Sequence, residues 1–166
     1  MRFTLIDRII ELVPGQRITA VKNVSLAEEY LADHFPLLPV MPGVLMLEAM
    51  TQAAAWLLRS DEDFAHSIVV LKEARNVKYA DFVEPGECLT VTAEMIKSGP
   101  REAEFKTQGV VDSKVCVSAR LVMERYNMAD DDPEDAEMDA YNKIKMRKLF
   151  ATLIGSQAGA TAQAAE

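Results

Sequence analysis

A chain of 166 residues with 49% hydrophobic and 27% charged side chains has the size of one globular domain with a sizeable core, and is too short for two full domains. Its net charge of -8 lacks the basic footprint of a nucleic-acid-binding protein, and no stretch reaches the roughly 18 apolar residues of a membrane span. The opening MRFTLIDRIIELVPG has charges among its apolar residues, does not read as a signal peptide, and leads us to expect a cytoplasmic protein.

The negative charge is uneven. Residues 1–125 hold 14 Lys+Arg against 18 Asp+Glu, and the last 41 hold 4 against 8, so each part contributes -4. Cys88 and Cys116 fall in alternating, strand-like segments without CxxC or Cys/His spacing, which predicts buried free thiols rather than a disulfide, a metal site or a nucleophile. Neither a metal nor another cofactor is expected.

In chain order, FTLIDRIIELVPGQRITAVKNV reads as two β-rich runs joined at Pro14-Gly15, a hairpin. Ser25 with Glu28 three residues on has capping-box spacing and predicts a short helix over LAEEYLADHF. Pro36, Pro39 and Pro42 cannot share one helix, so 34–42 is expected to be a stiff extended loop that fixes the aim of His34. From Gly43 to about Arg59 the composition, rich in Leu, Met and Ala and apolar on nearly every face, predicts a buried helix.

Residues 67–126 carry short β-branched and alternating runs broken at Pro85-Gly86, Gly99-Pro100 and Asp112-Ser113, which predicts three or four antiparallel strands in hairpins. His66, after SDEDFA, reads as an exposed loop residue. The fold class is therefore α+β, an antiparallel sheet curled around one long helix. A C-terminal helix follows, with Asp132 as N-cap, Pro133 at its first position, acids early, bases late and Gly155 at its end. Its Met146, Leu149, Phe150 and Leu153 share a face that needs cover from the core or from a neighbouring subunit. The expected division is 1–128 for the core domain, 129–155 for an acidic linker and helix, and 156–166 for a disordered tail.

Within the buried helix, Glu48, Thr51 and Gln52 fall at i, i+3 and i+4 and form a polar stripe. Burying a carboxylate costs several kcal/mol unless neighbours pair or hydrogen-bond it, so Glu48 is either held by its surroundings or set up to move a proton.

The segment HFPLLPVMPGVLMLEAMTQ resembles the signature of the hot-dog-fold 3-hydroxyacyl-[acyl-carrier-protein] dehydratases, H-F-x-x-x-P-x-x-P-G-x-L-x-x-[ED]-A-x-x-Q, at His34, Phe35, Pro39, Pro42, Gly43, Leu45, Glu48, Ala49 and Gln52. The likeness extends over roughly 3–125, through the opening hairpin and EARNVKYADFVEPGE. It implies elimination of water from a (3R)-3-hydroxyacyl thioester to give a trans-2-enoyl thioester. By the same resemblance His34 is the base, Glu48 its acidic partner from the other subunit of a homodimer, and Gly43 the source of a carbonyl-polarising N–H. Val44, Phe35 and Gln52 are expected at the substrate, and Glu48 in place of Asp places the chain with the branch that does not also isomerise the double bond. The implied partner is an acyl carrier protein, and the larger assembly is a trimer of dimers. Arg75, Lys78, Lys97 and Arg101 are the candidates for steering that acidic partner.

Two positions depart from the pattern. Asp33 and Leu37 stand where glycines are common, which stiffens the loop and adds a carboxylate beside the base. The alternatives are a non-catalytic acyl-binding subunit, which binds carrier but leaves substrate unturned, and an acyl thioesterase, which releases free thiol.

Overall fold

The computed structural model describes residues 4–35 and 37–155. Six strands, β1 (Arg8–Val13), β2 (Arg17–Asn23), β3 (Ile68–Tyr79), β4 (Cys88–Ser98), β5 (Glu102–Val111) and β6 (Lys114–Tyr126), form one sheet in the order β1-β2-β4-β5-β6-β3, and every pairing is antiparallel. Helix α1 (Gly43–Asp61) lies against β2 through β6, and α2 (Ala136–Ile154) closes the described chain.

The opening hairpin forms at the expected dipeptide, with Gly15 at φ +67°, a left-handed turn conformation that costs glycine little. The sheet's inner face follows the strand period of two: Ile18 and Ala20 on β2, Leu89, Val91 and Ala93 on β4, Ala103 and Phe105 on β5, Val117, Leu121 and Met123 on β6 are all buried. Against them α1 buries Met46, Ala49, Met50 and the unbroken run Ala53–Leu58, which is why the helix is apolar nearly all the way round. At roughly 25 cal/mol per Å² of apolar surface removed from water, this contact is the main stabiliser of the domain.

Two expectations need correction. The capping box at Ser25 does not form: only a three-residue 3-10 turn, Glu29–Leu31, follows, without a side-chain cap. Glu28 instead pairs at 2.7 Å with Lys22, which is buried at the inward end of β2 and also lies 3.4 Å from Asp7. The ion pair draws the carboxylate away from the main chain. The four strands of 68–126 are not a simple run of hairpins either, because β3 bypasses β4 and pairs with β6.

The expected terminal helix is present. Asp132 accepts a hydrogen bond from the Glu134 amide at 3.0 Å, a 3-10 turn over Pro133–Asp135 leads into α2, and Gly155 ends it at φ +63°. Its apolar face is covered by the same chain's core: Leu153 is buried, and Phe150 lies 5.8 Å from Trp56 and 5.3 Å from Phe64, centroid to centroid. A polar latch fixes the other end. Asp139, 4% exposed, accepts from the Met128 and Ala129 amides at 3.0 and 2.9 Å and from the Ser67 hydroxyl.

The tail expected to be disordered, 156–166, lies outside the described residues, as does Pro36. No helix among the described residues is long and apolar enough to cross a membrane.

Candidate active site

The 34–42 segment is tied to the loop between β3 and β4 through Met41, whose N–H donates to the Val83 carbonyl at 2.8 Å. Before it, the 3-10 turn aims His34: the His34 amide donates to the Tyr30 carbonyl at 3.1 Å, and the Lys22–Glu28 pair ties that turn to β2. Phe35 takes the left-handed conformation at φ +49° and presents its ring edge-on to the His34 imidazole at 4.4 Å. Phe35 is exposed and His34 partly buried.

Helix α1 begins abruptly. Pro42 stands at its N-cap without a side-chain cap, so the Gly43 and Val44 amides, which no earlier turn can satisfy, have no acceptor among the described residues. Glycine at the first of these positions leaves room for a neighbouring ring. A Cβ on Gly43 would stand 3.0 Å from Cδ1 and Cε1 of Tyr79, whose ring lies over the helix start. Val44 is 67% exposed beside it. A helix N-terminus left open in this way offers N–H donors and partial positive charge to an oxygen that gains negative charge during reaction.

Glu48 is held by Gln52, whose Nε2 donates to Glu48 Oε1 at 3.0 Å, while the Leu5 amide donates to Gln52 Oε1 at 3.0 Å. The main-chain donor decides which way the Gln52 amide faces, so the NH2 must point at the carboxylate. The expected polar stripe is therefore a small relay from backbone to amide to Glu48. Thr51, its third member, turns its hydroxyl back to the Leu47 carbonyl at 3.0 Å. Among the described residues no hydrogen bond or ring contact joins His34 to Glu48 within one chain, and no ion pair joins Asp33 to His34.

The stripe runs further than the sequence reading took it. Glu48 and Gln52 line a cavity of about 190 Å³ together with Trp56 and Arg59 from α1 and Met146 and Leu149 from α2. Positions 48, 52, 55 and 59 share one helix face, a 3.6-residue signal present in the sequence and obscured by the apolar run between its ends.

Other expectations fare differently. Cys88 is exposed at the start of β4 rather than buried, while Cys116 is buried and its thiol pKa is pushed up by that burial. His66 is not a free loop residue: it is partly buried, with Nδ1 3.0 Å from Glu62, and Glu62 in turn pairs at 2.8 Å with Nε of the buried Arg125. Arg75, Lys97 and Arg101 gather around a pocket of about 410 Å³ on the outer face of the sheet, and Lys78 does not line it. The patch is not purely basic, since Glu102 and Glu104 line it too and Arg75 and Arg101 pair with Glu73 and Glu124.

Comparison with known proteins gives this arrangement its family. Residues 1–124 match the FabA-like domain. The chain is 39% identical over 119 residues to the 3-hydroxyacyl-[acyl-carrier-protein] dehydratase FabZ of Ruminiclostridium cellulolyticum, covering 72% of this chain and 84% of that one. It is 37% identical over 130 residues to the protein of the same name from Shewanella loihica, covering 76% and 85%. Among solved structures, the dehydratase heterocomplex ApeI:P from Xenorhabdus doucetiae shares the fold with a TM-score of 0.62 at 20% identity, covering 76% of this chain and 85% of that chain. A hypothetical thioesterase protein with coenzyme A from Streptococcus pneumoniae also shares it, with a TM-score of 0.54 at 11% identity, covering 72% and 85%. The chain therefore belongs to the FabA-like family of 3-hydroxyacyl-[acyl-carrier-protein] dehydratases.

Proposed function

We propose that this hydro-lyase removes water from a (3R)-3-hydroxyacyl thioester carried on an acyl carrier protein, in the cytoplasm, and works as a homodimer in which His34 of one protomer faces Glu48 of the other. The observation that carries the reading is the open start of α1. Its amides at Gly43 and Val44, which have no acceptor among the described residues, are the kind of donor that stabilises a thioester enolate. His34 takes the proton from C2, the thioester oxygen leans on the Gly43 amide, and Glu48, oriented by Gln52, delivers the proton with which the C3 hydroxyl leaves as water. One C–H and one C–O bond break, a C2–C3 double bond forms, and proton transfer from His34 to Glu48 resets the pair.

Two observations support a site shared between chains. His34 and Glu48 make separate contacts within one chain, His34 with Phe35 and Glu48 with Gln52. Strand β3 also forms one edge of the sheet without a partner strand among the described residues, with Val70 and Tyr79 exposed along it. Three such dimers would form the larger particle.

The test is hydration of a trans-2-enoyl thioester, followed by loss of the conjugated absorbance, in the native chain, His34→Ala and Glu48→Gln. Both variants should be inactive. Mixing them after reversible unfolding should restore about a quarter of native activity, since half of randomly paired dimers carry one intact site of two. No recovery on mixing would sink the shared site, and release of free thiol without hydration would favour a thioesterase.

A further inference from the structure

The face of α1 that holds Glu48 ends, about 16 Å along the helix axis, at Arg59. Between them Ala55 and Trp56 make the face apolar, and Met146 and Leu149 of α2 wall the same cavity from the opposite side. The space is thus apolar in the middle and polar at both ends. Arg59, half-buried near the end of α1, is poorly satisfied for an arginine. No carboxylate pairs with it among the described residues, its Nε is buried without a hydrogen-bond partner, and its only protein acceptor is the Ser67 carbonyl at 3.5 Å, a long contact. The guanidinium carbon lies 5.9 Å from the centre of the Trp56 ring, which steadies the plane without satisfying its donors. Burial lowers its pKa to about 10, so it remains a cation at neutral pH.

A half-buried cation whose Nε is sealed from water without a partner calls for an acceptor, and a planar fork of N–H groups best fits a carboxylate. The carboxylate must enter on something apolar that threads past Trp56 and Leu149. The one chemistry that meets both ends, with a reacting thioester near Glu48, is an acyl chain bearing a terminal carboxylate. Resting on the dehydratase reading above, we infer that Arg59 selects half-acid acyl thioesters, gripping their distal carboxylate where α2 closes the cavity.

The experiment compares three enoyl thioesters of equal length ending in a carboxylate, its methyl ester and a methyl group, with calorimetric binding of the saturated half-acid thioester in parallel. In the native protein the carboxylate form should exceed both neutral forms in kcat/KM by about tenfold or more, the range expected for one charge-assisted hydrogen-bonded pair. Arg59→Met should bring that ratio to about one, and Arg59→Lys, which keeps the charge and loses the fork, should fall between. The ratio is internal to each protein, so a general loss of activity does not imitate the effect. Equal turnover of all three substrates by the native protein overturns the inference and leaves the dehydratase reading standing. If none is turned over, that reading fails, and calorimetry decides separately: tighter binding of the half-acid that Arg59→Met removes supports the assignment, and indifference to Arg59 refutes it.

Discussion

Replacing Asp139 tests how α2 is held to the core. The carboxylate is 4% exposed and accepts three hydrogen bonds, from the Ser67 hydroxyl and the Met128 and Ala129 amides. Burial by itself would raise its pKa, but Ser67, then the Ala129 and Met128 amides, then Lys143 outweigh burial and hold it below the usual carboxylate value. Asp139→Ala strands two main-chain N–H groups and a hydroxyl. At about 1.5–3 kcal/mol for each hydrogen bond to a charged group, and with three bonds sharing one carboxylate so that they do not add, the loss should be about 3–5 kcal/mol. Asp139→Asn keeps the shape and one acceptor, and should lose about 2 kcal/mol. Trp56, the one tryptophan of the sequence, packs on Phe150 of α2, so its fluorescence during urea unfolding at fixed protein concentration reads the latch. A depressed folded-state pKa stabilises fully above the unfolded value, near pH 4, and the contribution disappears as pH falls through the folded one. The native chain should therefore lose stability below about pH 4 more steeply than Asp139→Asn. A loss under about 1 kcal/mol in Asp139→Ala, or parallel pH curves, would refute the reasoning.

The remaining predictions concern the helix start, the buried ion network and α2 itself. Gly43→Ala gains helix propensity and crowds the Tyr79 ring, so stability should stay within about 1 kcal/mol of native while enoyl-thioester hydration drops sharply; matched losses in both would indicate misfolding instead. Glu62→Leu removes the carboxylate from buried Arg125 and should cost about 3–5 kcal/mol in urea, whereas Arg125→Met removes the charge itself and should cost less; the reverse order would discredit the network. A chain ending at residue 128 uncovers Trp56 and Phe64, and its tryptophan emission should move to the red; an unchanged spectrum would mean that α2 does not shield the ring in solution.

Local chemistry made part of this molecule readable before folding. Pro14-Gly15 marked a turn because its glycine reaches positive φ cheaply, and Pro42-Gly43 marked the start of α1 because proline fits only at a helix's first turn. The spacing of Glu48 and Gln52 forecast their contact, since four residues bring side chains together on a helix. What depended on distant partners was not readable. Ser25 and Glu28 had the spacing of a cap, but Lys22 on a neighbouring strand competed for the carboxylate and won. Glu62, just past the end of α1 and already paired with His66 four residues on, drew Arg125 from β6, a pairing that no local pattern encodes. Alternation forecast β3 as a strand without saying that it would lie beside β6.

The sheet order β1-β2-β4-β5-β6-β3 also sets a timetable. β1 with β2, β4 with β5, and β5 with β6 each close through a short turn, soon after their residues are made. β3 cannot: its partner is the last strand synthesised, and two other strands emerge in between. Closing that long loop is slow, so docking of β3 should be the late step of folding. Until then Ile68, Val69, Leu71 and Ala74 wait on a strand with two open edges, and a chain stalled before β6 offers that strand to other nascent chains.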